Sequence, residues 1–210
     1  MARRSALVLV SMLAAVLVTA GGASAGGGNY ILDGGTANQQ KQVKDALNAS
    51  SFDWSLVPNQ ITIHIAPGKS SAASPGQIWL DANLLDAGTY AWGVVQHEYA
   101  HQVDFFLLNA GERVALGRQL GAQDWCYGVA GLPHAAYGCE RFASTLAWSY
   151  WPSQDNVMRP QAATDESAAL PPAQFRALLA NLLASPSLGA VPPSPLRAHA
   201  PAVKAPAKRR

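Results

Sequence analysis

Five residues near the middle of the chain, His97-Glu98-Tyr99-Ala100-His101, form the densest group of chemistry-bearing side chains in the 210-residue sequence. Histidines four apart share one face of an α-helix, so their imidazoles project side by side and can grip one divalent ion, at about 2.0–2.1 Å each if it is zinc. Glu98 lies about 100° further round the helix and flanks the metal position rather than binding it. From there a carboxylate can take a proton from a polarised water and pass it to a leaving amine. The competing reading is a pair of core histidines. It would bury three polar groups within five residues, a costly arrangement without a function.

A catalytic zinc keeps three protein ligands and one open position, so a third ligand must come from elsewhere. Glu140 is the candidate. It begins a helical stretch, Glu140 to Ala147, in which Ala143, Ser144 and Ala147 share its face and are small enough for a second helix to approach closely. Asp104, seven residues after His97, returns to nearly the same helical face. It is expected to accept a ring N–H of a ligand histidine or to bond a neighbouring loop. His64 and His199 carry no expectation of chemistry.

The HExxH run followed by a downstream helix carrying Glu resembles the gluzincin group of zinc metallopeptidases. The runs His97-Glu98-x-x-His101-x-x-Asp104 and Glu140-x-Phe142-Ala143 are most similar to its lethal-factor-like branch, over roughly residues 60–150. The resemblance implies a zincin-like fold, one Zn2+ held by His97, His101 and Glu140, and Glu98 as base. It also implies that Gln77, Ile78, Trp79 and Leu80 form the edge strand that pairs with an extended peptide substrate, and that Tyr137 or His134 stabilises the oxyanion. A rival resemblance is to the aspzincins. Gly121-Ala122-Gln123-Asp124-Trp125-Cys126-Tyr127-Gly128 is similar to their Gly-Thr-x-Asp-x-x-Tyr-Gly signature, which would make Asp124 the third ligand and Tyr127 the oxyanion donor. Ala122 stands where that family has Thr, and the gap from His101 is long for it.

These residues need elements to position them. Thr36 and Gln39 resemble a capping box before a short surface helix, Gln40 to Ala49. Ile61 to Ile65 alternates as a half-buried strand with His64 turned away from the isoleucines, and after a Ser/Ala/Pro loop Gln77 to Leu80 reads as a second strand ending at Asp81. A long, mostly apolar and therefore buried helix is expected from Thr89 to Asn109, capped by Gly111. A shorter helix from Glu112 to Leu120, a loop from Gly121 to Gly138, a helix from Cys139 to Trp151 and a last helix from Pro171–Pro172 follow. The aromatic residues Trp79, Trp92, Trp125, Trp148, Trp151, Tyr99 and Phe142 read as core. The expected architecture is α+β: a small mixed sheet packed on the active-site helix, then a helical C-terminal half, with a cleft between them.

The ends carry other signals. Arg3 and Arg4 precede an apolar run from Ala6 to Val18, and Ala23-Ser24-Ala25 fits a signal-peptidase site, so residues 1–25 read as a signal peptide and the product as secreted. Residues 26–184 form one domain, and 185–210 a disordered Pro/Ala-rich basic tail. The domain carries eight Lys and Arg against thirteen Asp and Glu, a balance of −5. That is the opposite of a nucleic-acid-binding surface. In an exported chain the two cysteines, Cys126 and Cys139, are expected to form a disulfide, worth about 3 kcal/mol in the chain-entropy model. It would tie Glu140 to the preceding loop. No membrane span follows the signal, and no phosphate loop or serine nucleophile elbow offers another chemistry. The expected function is that of a monomeric, secreted zinc metallopeptidase acting on peptide or protein substrates. The alternatives are a zincin-fold metal-binding protein without turnover, and a cell-wall amide hydrolase.

Overall fold

The structure, a computed structural model, describes residues 27–184. The expected signal peptide and basic tail lie outside the described residues. Strand β1 (Tyr30–Gly34) opens the described chain and is followed by helix α1 (Ala37–Ala49), whose N-terminus carries the expected Thr36–Gln39 capping box. Strands β2 (Ile61–Ala66), β3 (Ala72–Ser74) and β4 (Gln77–Asp81) complete a four-stranded sheet in the order β1-β2-β4-β3. The first three strands in that order run parallel, and β3 is antiparallel to β4, so the sheet is mixed. β1 escapes a reading by alternation because it is a short edge strand with little to bury; its Ile31 is 47% exposed.

One expectation is corrected here. Gln77, Ile78, Trp79 and Leu80 do not form an edge: β4 is flanked by β2 on one side and β3 on the other. The edge belongs to Ala72–Ser74, within the stretch read as a loop. Ala-Ala-Ser has no β-branched or aromatic residue to mark it as strand. It is held there by the tight Pro75–Gly76 turn, with Gly76 at φ 78°, and by pairing with β4.

Isoleucines 61, 63, 65 and 78, with Leu80, bury one sheet face against α1 and against α3 (Trp92–Leu107), the helix bearing the HExxH run. Gln96, His97, Glu98, His101, Gln102 and Asp104 are all buried in α3 and would be polar misfits in an ordinary core helix, and the two glutamines show how such groups are accommodated. Gln96 Nε2 donates to Ala46 O of α1 at 2.7 Å. Gln102 donates to Ser74 O and Gln77 O and accepts from Gly76 N, locking α3 to the β3–β4 turn. The strand edge is thereby fixed one residue from His101.

Asp81 caps the short α2 (Ala82–Leu85). α3 ends at Leu107 rather than at Asn109, and Gly111 is not its cap. Asn109 forms a capping box with Glu112 and starts α4 (Ala110–Leu120) earlier than expected, so Gly111 sits inside the first turn of α4, and Gly121, at φ 68°, is the left-handed cap. α5 (Gly138–Tyr150) packs along α3, with Ala143, Ser144 and Ala147 all buried, as the small-residue face requires. α6 (Pro172–Ala184) covers α5 through Phe175 against Phe142, with ring centroids 5.7 Å apart. Tyr99 and Phe142 are core, whereas Trp79 lies on the open sheet face beside His64. Among the described residues no helix is long and apolar enough to cross a membrane.

Candidate metal centre

His97 and His101 lie one turn apart on α3, their ring planes nearly perpendicular and their Nε2 atoms 3.2 Å from each other. Glu140, at the start of α5, brings Oε2 to 3.2 Å from His97 Nε2 and 3.4 Å from His101 Nε2. All three residues are buried, and together they could hold a metal ion. The third position is set by two packing facts. Gly138 lets α5 begin against Trp125, since a Cβ there would stand 2.7 Å from the indole. The Cys126–Cys139 disulfide then ties the residue before Glu140 to the loop. With both sulfurs in that bond, neither is a thiolate ligand.

Electrostatics favour a cation between these atoms. Burial pushes the Glu140 carboxyl up, but hydrogen bonds and charge from His101 and His97 outweigh it and hold the group well below the usual carboxylate range. Burial opposes charge on His101, yet Glu140, followed by Glu98 and Asp104, carries that imidazole above its ordinary value. Glu98 lines the same cleft and behaves oppositely to Glu140. Burial raises its carboxyl, and the nearby histidines only partly offset this.

The cleft encloses about 390 Å³ and runs from Ser71, Ala72 and Ala73 at the strand edge to Tyr127 and His134. Tyr127 Oη donates to Glu140 Oε1 at 2.9 Å, from a backbone held at φ 56°. His134 Nε2 stands 3.3 Å from Glu140 Oε2. Tyr137 is elsewhere. Its hydroxyl donates to Val129 O at 2.8 Å and its ring packs against that of Tyr127, so the structure does not bring it into the cleft. Asp124 is likewise absent from the metal-ligand group. Its carboxylate accepts from Gly128 N and Val129 N and closes its own loop. Asp104 takes the second of its two expected roles: it accepts from Arg113 Nε at 2.7 Å and Trp125 Nε1 at 3.2 Å, anchoring the loop rather than a histidine ring.

Sequence reasoning missed Glu166. It lines the cleft from a 3-10 turn (Glu166–Ala168), accepting from His134 Nδ1 at 2.5 Å and from Ser144 Oγ at 2.8 Å, while Ser144 Oγ also lies 3.0 Å from His97 Nδ1. No local pattern marks it, because Asp165-Glu166-Ser167 reads as any polar turn. His64 bonds Asp33 and Gln77 on the open sheet face, outside the cleft lining. Compared with family models, with curated proteins and with solved structures, the chain finds no match.

Proposed function

We propose that the protein is a zinc-dependent peptidase with a zincin-like arrangement, and that it acts outside the cytoplasm. One observation carries the reading. Ligand atoms around a tetrahedral zinc with bonds of about 2.05 Å stand about 3.3 Å apart. The three separations here are 3.2, 3.2 and 3.4 Å. Atoms converging so closely need positive charge between them, a ring proton or a metal cation, and two imidazoles with one carboxylate form a zinc-type donor set that leaves a position open. When bound, zinc supplies a Lewis acid that makes water more acidic and polarises a carbonyl.

The chain's own groups do the rest. Glu98, with its carboxyl raised by burial, accepts the proton of the attacking water on a carboxylate oxygen and delivers it to the leaving nitrogen. Tyr127 Oη and His134 Nε2, both at the cleft, are placed to donate to the developing oxyanion; Tyr137 is not proposed for this role. An extended peptide would pair with the free edge of β3 at Ala72–Ser74, which borders the cleft. Export is supported by the disulfide, a bond that persists outside reducing compartments, together with the N-terminal sequence pattern.

The test compares the purified protein with Glu98→Gln, for zinc content and for cleavage of unfolded casein. About one zinc per chain in both, with cleavage by the wild type alone, is expected. Cleavage by both overturns the role of Glu98. Zinc in both with cleavage by neither, including of peptidoglycan cross-links, leaves a metal-binding protein without turnover.

A further inference from the structure

We propose that Glu166 is a positioning residue that orients two imidazoles of the cleft at once, His97 through Ser144 and His134 directly. The inference rests on the metal reading above. Its basis is hydrogen-bond direction. An ionised carboxylate accepts only, and a serine hydroxyl has one proton to give. Ser144 Oγ donates that proton to Glu166 Oε2 at 2.8 Å, so what it offers His97 Nδ1, 3.0 Å away, is a lone pair. His97 must therefore carry a proton on Nδ1, which makes Nε2, facing His101 and Glu140, the nitrogen that a metal ion would take.

The other carboxylate oxygen does the second task. Glu166 Oε1 accepts the Nδ1–H of His134 at 2.5 Å and turns that ring's Nε2 toward Glu140, where it donates when the ring is an imidazolium with a proton on each nitrogen. His134 is 57% exposed in its side chain, so without this anchor its ring would sample several rotamers. Glu166 is itself held to α5, because Thr145 Oγ1 donates to its backbone carbonyl at 3.3 Å. α5 thus carries both Glu140 and the serine through which Glu166 reaches the opposite ligand.

Ser144 and His134 reach different oxygens of Glu166, so Glu166→Gln keeps the shape but puts a donating NH2 opposite one of them. Zinc affinity of the full-length protein is measured by competition with a chelator of known strength, for the wild type, Ser144→Ala, Glu166→Gln and the double variant, with circular dichroism confirming the fold. Each single variant is expected to bind zinc about tenfold more weakly, and the double variant no more weakly than the poorer single one. Glu166→Gln should lose more kcat/KM than Ser144→Ala, because it also frees His134. Undiminished zinc affinity in Glu166→Gln, or losses that multiply in the double variant, overturn the proposal while the metal reading stands. A wild type that binds no zinc overturns the metal reading itself. The metal-free wild type gives a measurement that needs no variant: nitrogen-15 imidazole spectra should show His97 protonated at Nδ1, and protonation at Nε2 instead would overturn the assignment.

Discussion

The Glu140 carboxylate meets His97, His101, Tyr127 and His134 within 3.4 Å, more partners of the site than any neighbouring acid reaches. Asp124, its rival for the third ligand position, stands outside the cluster and accepts on its Oδ2 from the amides of residues 128 and 129. Glu140→Ala should therefore abolish stoichiometric zinc binding, whereas Asp124→Ala should keep the zinc and lose about 1 kcal/mol of stability through its loop. Metal analysis and denaturant unfolding separate the two, and zinc lost from Asp124→Ala alone would reverse the assignment. His64 illustrates a pH effect remote from the metal. Its two nitrogens face Gln77 Oε1 and Asp33 Oδ2, and these hydrogen bonds raise it above the ordinary value of 6.5. A histidine raised in the folded state contributes stability that is fully present below 6.5 and lost as pH rises through its folded value. The destabilisation by His64→Ala should shrink between about pH 5.5 and 8.5 by less than about 1 kcal/mol, since the pair is exposed and screened. A pH-independent difference in unfolding would contradict it.

At the level of elements, α3 is fixed by polar clamps as well as by packing: Gln96 to α1, Gln102 to the β3–β4 turn, Asp104 to Arg113 of α4. α5 is placed by contact, and two glycines against the same indole show how tightly. A Cβ on Gly138 would stand 2.7 Å from Trp125 Cε3 and 3.1 Å from Ala122 Cβ, while one on Gly117 in α4 would meet that ring at an ordinary 3.7 Å. Trp125 cannot easily retreat, because its Nε1 is bonded to Asp104 and its carbonyl to Cys139 N. Gly138→Ala should cost about 1–3 kcal/mol by overpacking and weaken zinc binding by displacing Glu140 two residues on. Gly117→Ala should stabilise by about 0.5–1 kcal/mol, as alanine does within a helix. Thermal unfolding with a zinc titration checks both, and equal effects would refute the packing argument.

For the whole molecule, a metal ion held by His97, His101 and Glu140 would add a bond across the α3–α5 contact, since these residues come from both helices. A ligand that binds only the folded state stabilises it by about 4 kcal/mol when free ligand exceeds Kd a thousandfold. For a domain of this size that corresponds to a Tm roughly 10 °C higher. Chelation should lower Tm by about that amount and zinc should restore it, as scanning calorimetry would record; a Tm indifferent to chelator would count against a resident ion.

Two imidazoles on one face of α3, the acid between them, the capping box of α1, the alternation of β2 and the small face of α5 all follow from spacing within a single element, where helical and strand periods set directions without help from the rest of the fold. Even Glu140 was legible, because small neighbours at helical spacing mark the surface along which two helices meet. What lay beyond the sequence was decided by contacts across long separations. The strand edge passed from β4 to Ala72–Ser74 through a glutamine on α3. Tyr137 was turned to a loop carbonyl while Tyr127 took the cleft. Glu166 reached the site from a turn with no pattern of its own. Periodicity reports which way a side chain leaves its own backbone, and only the packed chain determines what it meets there.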